Sequence, residues 1–111
     1  MKRYCLALDL KDDAQLIEEY EQLHQNIWPE IEATIIESGI VSMEIYRIGI
    51  RLFMIMDAND DFSFEAKSKA DAENPKVQEW ENFVWQYQQA LPMANEGEKW
   101  ILMNKIYDLN K

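Results

Sequence analysis

Ile40-Val41-Ser42-Met43-Glu44-Ile45-Tyr46-Arg47-Ile48-Gly49-Ile50-Arg51-Leu52-Phe53-Met54-Ile55-Met56-Asp57 holds two β-rich runs, 40–48 and 51–57, on either side of Gly49. Branched and aromatic side chains fill a pleated surface well, and glycine tolerates the backbone angles of a tight turn, so the stretch predicts a hairpin. In its second run Met54 and Met56 fall on one face, Phe53 and Ile55 on the other. A strand that is apolar on both sides needs cover on both.

Toward the N-terminus, Tyr4, Leu6, Leu8 and Leu10 alternate with Cys5, Ala7 and Asp9, the period of a strand buried mainly on one face. Asp12 and Asp13 supply a helix start, and Leu16, Ile17, Tyr20, Leu23 and His24 recur at helical spacing. Pro29 ends or redirects that helix and suits the first turn of another, with Ile31, Ile35 and Ile36 as its stripe and Gly39 at its C-terminal end. Toward the C-terminus, Asp60 and Asp61 are expected to cap a third helix reaching Asn74. Pro75 opens a fourth, with Val77, Trp80, Val84, Tyr87 and Leu91 as its stripe, Phe83 beside it and Pro92 at its end. The alternating run Trp100 to Tyr107 predicts the last strand.

The resulting order, βαββαβ, is a ferredoxin-like α+β arrangement in which helices cover one face of an antiparallel four-stranded sheet. Residues 1–111 form one domain by length. Hydrophobic residues make up 48 % of the chain, enough for a core. The helix-free sheet face calls for a second copy, hence a homodimer.

Acidic residues outnumber basic ones by 21 to 11, a net charge of −10. Such a surface repels phosphate backbones and anionic lipid, so neither nucleic acid nor membrane is an expected partner, and a neutral or cationic ligand suits the field better. The apolar run behind Met1-Lys2-Arg3 stops at Asp9, too short for a signal-peptide core, and places the chain in the cytoplasm. Cys5 is the lone cysteine. With no His/Cys spacing, phosphate loop or dinucleotide fingerprint, neither metal nor cofactor is expected.

His24 is the single histidine and the one side chain whose ordinary pKa lies near neutrality. It follows Tyr20 by one helical turn, so both can reach one ligand. On spacing alone, a surface histidine beside a core tyrosine is the commoner case. Trp28 offers a flat apolar face, or packs as a staple at a helix start. Trp80 and Phe83 can share a helix face, whereas Trp85 points elsewhere. Aromatic faces shield the C–H patches of a pyranose and leave its hydroxyls free; the same rings also fill cores.

The stretch Tyr20-Glu21-Gln22-Leu23-His24-Gln25-Asn26-Ile27-Trp28-Pro29-Glu30-Ile31-Glu32 resembles the signature of the L-rhamnose mutarotase family. The run His-x-x-Ile-Trp-Pro-Glu carries most of that likeness. Ile45-Tyr46, the Trp-bearing fourth helix and Leu91-Pro92 to Asn95 extend it over nearly the whole chain. The resemblance implies a dimeric α/β barrel, a monosaccharide substrate and anomer exchange without a cofactor. It implies His24 as the acid/base, Tyr20 as a sugar contact with a share in the catalysis, and a pocket drawn from Trp28, Met43, Tyr46, Trp80 and Trp85. Met43 stands where the family pattern has a tyrosine, and Trp80-Glu81 where it has a tryptophan pair. The reaction thus carries over, while the sugar is L-rhamnose, L-fucose or another 6-deoxyhexose. A small dimeric-barrel monooxygenase or haem-binding protein is the rival enzyme class, separable by a Soret band. A non-enzymatic ligand-binding module is the other alternative.

Overall fold

The computed structural model describes residues 1–110. In chain order the elements are β1 (Lys2–Leu10), α1 (Ala14–Leu23), α2 (Pro29–Glu37), β2 (Ile40–Ile48), β3 (Arg51–Ala58), α3 (Phe64–Ala72), α4 (Pro75–Trp85), β4 (Gln88–Gln89) and β5 (Ile101–Leu102). The sheet runs β2-β3-β1-β4, every pairing is antiparallel, and β5 joins β1 as well. This is the ferredoxin-like order, and the sheet is open rather than closed.

Local signals account for most boundaries. The Asp13 carboxylate accepts the amides of Gln15 and Leu16 and starts α1. Pro29 takes the first turn of α2, and Gly39 leaves it at φ +100°. Gly49, at φ +57°, occupies the first central position of the two-residue turn between Ile48 and Arg51. The Asn74 side chain accepts the amides of Lys76 and Val77 and starts α4.

Four expectations need correction. Ser63, not Asp60 or Asp61, caps α3, its hydroxyl accepting the Ala66 amide. The fourth helix stops at Trp85 rather than continuing to Leu91, because Gln88 and Gln89 pair with Leu10 and Asp9 and the Tyr87 carbonyl takes the Lys11 amide. Strand pairing at the β1 edge here overrides local helix propensity. The fourth strand position is consequently filled by two short pieces, and Ile101–Leu102 replaces the longer run to Tyr107. On α2, Ile31 is buried while Ile36 is exposed.

One irregularity positions the site. A β-bulge at Val41 breaks the pairing between Ile40 and Ser42. The extra residue shifts the strand's alternation by one. Ile40, Met43 and Ile45 therefore all face the helices, while Tyr46, opposite Phe53, faces away.

The core lies between sheet and helices in two halves. Leu6, Ile40, Met54, Met56 and Phe62 form one, Leu10, Tyr20, Leu52, Val84 and Tyr87 the other, and Ile45 and Trp100 pack against both. On the helix-free face Cys5, Ala7, Phe53 and Ile55 are only partly covered. There the Arg51 Nε donates to the buried Asp9 Oδ1 at 2.6 Å, clasping β1 to β3.

Leu10 sits at the meeting of β1, α1 and α4 and is 1 % exposed. Leu10→Ala should cost about 2–5 kcal/mol of stability through lost burial and a residual cavity. Urea unfolding with an unchanged denaturant slope would register it as a lower midpoint.

Candidate active site

His24 is the C-cap residue of α1, one turn beyond Tyr20. Its Nδ1 lies 2.8 Å from the Tyr20 carbonyl oxygen. A carbonyl can only accept, so Nδ1 carries the hydrogen and donates it. In the neutral ring the lone pair is then on Nε2. Burial holds the imidazole pKa below its ordinary 6.5, against a smaller upward pull from the Tyr20 carbonyl. At pH 7 the ring is neutral, with a defined tautomer.

The Tyr20 side chain is 4 % exposed. Its hydroxyl accepts a hydrogen bond from Gln88 Nε2 at 3.1 Å, leaving its own proton to be donated. Burial raises the phenol pKa, with the Gln88 hydrogen bond opposing it, so Tyr20 remains a hydroxyl donor. The Tyr20 and His24 rings lie 4.3 Å apart between centroids, and Trp80 meets the imidazole edge-on at 6.2 Å.

These groups line a cavity of about 540 Å³ between the sheet and α2, α3 and α4. Ile31, Met43, Met54 and Trp80 supply apolar walls, and Gln78 and Gln88 supply amides. Lys67 and Lys99 are matched by Asp71 and Glu81, so with a neutral His24 the lining carries no net charge. The volume lies in the range of small-molecule sites.

Of the residues singled out in the sequence, the structure brings Tyr20, His24, Met43 and Trp80 to one cavity. Trp28 stands behind that wall. It stacks on Phe83 at 5.7 Å, meets Trp80 edge-on at 5.0 Å, and has the Lys76 amine over its outer face at 4.8 Å. Its place is to hold Trp80 rather than to line the cavity. Tyr46 projects from the opposite face of the sheet and is 53 % exposed, because the bulge at Val41 sets that alternation. Trp85 ends α4 at the surface beneath the Lys99 amine. Neither Tyr46 nor Trp85 reaches the cavity.

Sequence reasoning missed Gln88 and the inner face of α3. Gln88 read as one residue of a continuing helix, and only its pairing with Leu10 turns its amide toward Tyr20. Nothing in the local pattern marks it. Among the described residues no group of three or more His, Cys, Asp or Glu side chains could hold a metal ion. No helix among them is long and apolar enough to cross a membrane.

Fold and cavity together define a ferredoxin-like α+β protein with a charge-balanced, aromatic-walled cavity beside a single neutral imidazole. The chain belongs to the L-rhamnose mutarotase family, whose model matches residues 3–109, and it is a sugar mutarotase, an isomerase that interconverts anomers. It is 42 % identical over 113 aligned positions to the L-fucose mutarotase of Xanthomonas campestris pv. campestris, covering all of this chain and 90 % of that one. Among solved structures, the L-rhamnose mutarotase FA22100 from Formosa agariphila superposes with a TM-score of 0.73 at 18 % identity, covering 98 % of this chain and 99 % of that one. A dimeric ferredoxin-like protein from an uncultured marine organism superposes at 0.53 and 10 % identity, over 78 % and 76 % of the two chains. At those identities the two structures speak for the fold.

The lowered pKa of His24 has a testable sign. Above pH 6.5 the imidazole is neutral folded or unfolded, and stability is independent of it. Below pH 6.5 the unfolded chain takes up the proton first, so stability falls until the pH passes the lower folded value. An NMR titration of the His24 ring should place its midpoint below 6.5, with the Nδ1–H tautomer on the alkaline side. A midpoint above 6.5 would contradict the burial described here.

Proposed function

We propose that this chain exchanges the α and β anomers of a 6-deoxyhexose pyranose, with His24 as the acid/base. The observation that carries this reading is the bond from His24 Nδ1 to the Tyr20 carbonyl, which dedicates Nε2 to a base's role beside an aromatic-walled cavity. Ring opening breaks the bond between the anomeric carbon and the ring oxygen while the anomeric hydroxyl loses its proton. Both oxygens sit on one carbon, so one imidazole can serve both. Neutral His24 takes the proton from the anomeric hydroxyl as the ring bond breaks and the aldehyde forms. The imidazolium then returns that proton to the former ring oxygen. Rotation about the neighbouring carbon–carbon bond and reversal of these steps close the ring with the anomeric centre inverted. Only a proton passes between the imidazole and the sugar, the carbon–oxygen ring bond that breaks is the one that re-forms, and the reaction so written calls on no cofactor.

A group that titrates near neutrality is efficient in both directions. The depressed pKa keeps His24 in its basic form at neutral pH and makes its conjugate acid a stronger donor. Tyr20 has the opposite character: burial disfavours the phenolate, so its hydroxyl orients the sugar as a donor instead of exchanging protons. Trp80 and Met43 hold the pyranose through its C–H faces. The sugar-reading residues are where this chain departs from the family pattern. Met43 offers a thioether where a hydroxyl is implied, and Glu81 a carboxylate where a second aromatic wall is implied. With the Tyr20/His24 pair kept, the preference shifts while the chemistry stays, and L-fucose is exchanged at least as well as L-rhamnose. The name of the Xanthomonas relative supports that direction.

Saturation-transfer NMR of both sugars and their 6-hydroxy analogues, at equal enzyme concentration, tests the reading. His24→Ala should lower exchange about 10²- to 10⁴-fold with the fold intact, and Tyr20→Phe about 2- to 10-fold. A His24→Ala variant within threefold of the parent would remove the imidazole from the mechanism. A tenfold or greater advantage for L-rhamnose would refute the shifted preference.

The same reading places the protein in the cytoplasm as a homodimer. The partly covered Cys5, Ala7, Phe53 and Ile55 face, with Tyr46 and Ile48 exposed beside it, is the surface a second copy covers. Sedimentation at micromolar concentration should give twice the 13.2 kDa chain mass; a monomer there would contradict it.

A further inference from the structure

Helix α3 lacks the apolar inner stripe of a core helix. Phe64, Lys67, Ser68, Asp71 and Ala72 recur at i, i+3, i+4, i+7 and i+8 and all line the cavity. That spacing is the inward stripe of a helix, where apolar residues belong. On α3 the stripe is largely polar, and the helix has no buried residue. Its only residues that are not exposed are the two charged ones, Lys67 and Asp71, while Phe64, Ala66 and Ala70 face solvent more than they do.

Lys67 Nζ donates to Asp71 Oδ2 at 2.7 Å, with the side chains 20 % and 19 % exposed. The helix that carries them is held at both ends. Phe64 packs edge-on against Tyr4 at 4.8 Å and Phe62 at 5.0 Å. Gln78 Nε2 on α4 donates to the Asp71 backbone carbonyl at 2.9 Å. The ion pair is thus fixed over the cavity rather than swinging in solvent. It also has capacity left: the bond uses one of the ammonium's three donors, and the carboxylate keeps Oδ1.

We propose that Lys67 and Asp71 form the hydroxyl-reading subsite of this enzyme, gripping two adjacent ring hydroxyls of the sugar away from its anomeric carbon. One hydroxyl donates to Asp71 and its neighbour accepts from Lys67, a match that a donor and an acceptor held side by side make with a vicinal diol. Because the two charges cancel, the subsite adds no preference for an ion and suits a neutral sugar. Charged partners make these hydrogen bonds stronger than neutral ones. L-fucose and L-rhamnose differ in hydroxyl configuration at C2 and C4, so a subsite that reads ring hydroxyls discriminates between them. The proposal rests on the mutarotase reading above and adds α3 to Met43 and Glu81 as a source of specificity within it.

The test is anomer exchange as a function of sugar concentration, using the better of L-fucose and L-rhamnose and its 2-, 3- and 4-deoxy analogues. Three proteins are compared: the parent, Asp71→Ala, and the double variant Lys67→Leu/Asp71→Leu. The double variant replaces an ion pair by apolar side chains at inward positions and should melt no lower than the parent. Both variants should raise KM about 10- to 100-fold while kcat stays within about threefold, since the imidazole is untouched. With the deoxy analogue that lacks a gripped hydroxyl, the parent should already be weakened and the variants should lose little more. Parental KM in the double variant, or equal losses on every analogue, would overturn the subsite and leave mutarotation standing. Absence of exchange by the parent on every sugar would overturn both.

Discussion

Tyr20 is the residue on which the site depends, because three separate constraints meet in it. Its backbone carbonyl takes the His24 Nδ1–H at 2.8 Å and sets the tautomer. Its hydroxyl is held by Gln88 at 3.1 Å. Its ring is buried among Leu10, Leu52, Val84 and Tyr87. A tyrosine at the surface could not do this: the packing that immobilises the ring also fixes the carbonyl one turn before the imidazole. The same burial that lowers the His24 pKa raises that of Tyr20. One environment therefore holds a neutral imidazole and a protonated phenol side by side.

The position of His24 follows from where α1 ends. As a C-cap residue it lies beyond the regular helix, at the end of the last turn, where the Tyr20 carbonyl accepts both the His24 backbone amide at 3.3 Å and the imidazole N–H. The chain then turns through Gln25 to Trp28, and Pro29 restarts a helix in a new direction. Trp28 at that corner stacks on Phe83 and props Trp80 against the imidazole. The Lys76–Glu30 contact at 3.5 Å ties the same corner to α4 from outside. The run His-x-x-Ile-Trp-Pro-Glu is thus a structural device: it ends one helix, orients a ring and starts the next helix.

The cavity exists because the layer over the sheet is divided. Each helical region of the ferredoxin-like order is split at a proline, and α2, α3 and α4 surround a space that a continuous helix would fill. Apolar methionines floor it from β2 and β3, and α3 supplies charge in a balanced pair. The contrast with the acidic exterior is physical. The chain as a whole carries a net charge of −10, while the cavity lining presents no net charge to a ligand.

Features set by neighbouring residues were legible in the sequence: the Asp13 cap, the proline starts of α2 and α4, Gly39 and Gly49 at positive φ, and the βαββαβ order. Each depends on the dihedral freedom or short-range hydrogen bonding of a few residues, so the local chain contains the information. The Tyr20/His24 pairing was legible for the same reason, being one helical turn. Three outcomes were decided only by tertiary structure. The bulge at Val41 turned Met43 inward and Tyr46 outward, a parity that alternation within β2 alone does not define. Pairing with β1 ended α4 at Trp85, left that side chain at the surface and brought Gln88 to Tyr20. The inward face of α3 could not be read from hydropathy because its least exposed side chains are the charged ones. In the first two cases the deciding contacts join residues far apart in sequence, across β2–β3 and β1–β4; in the third, the helix is set over the cavity by Phe64 against Tyr4, a contact that a linear reading cannot see.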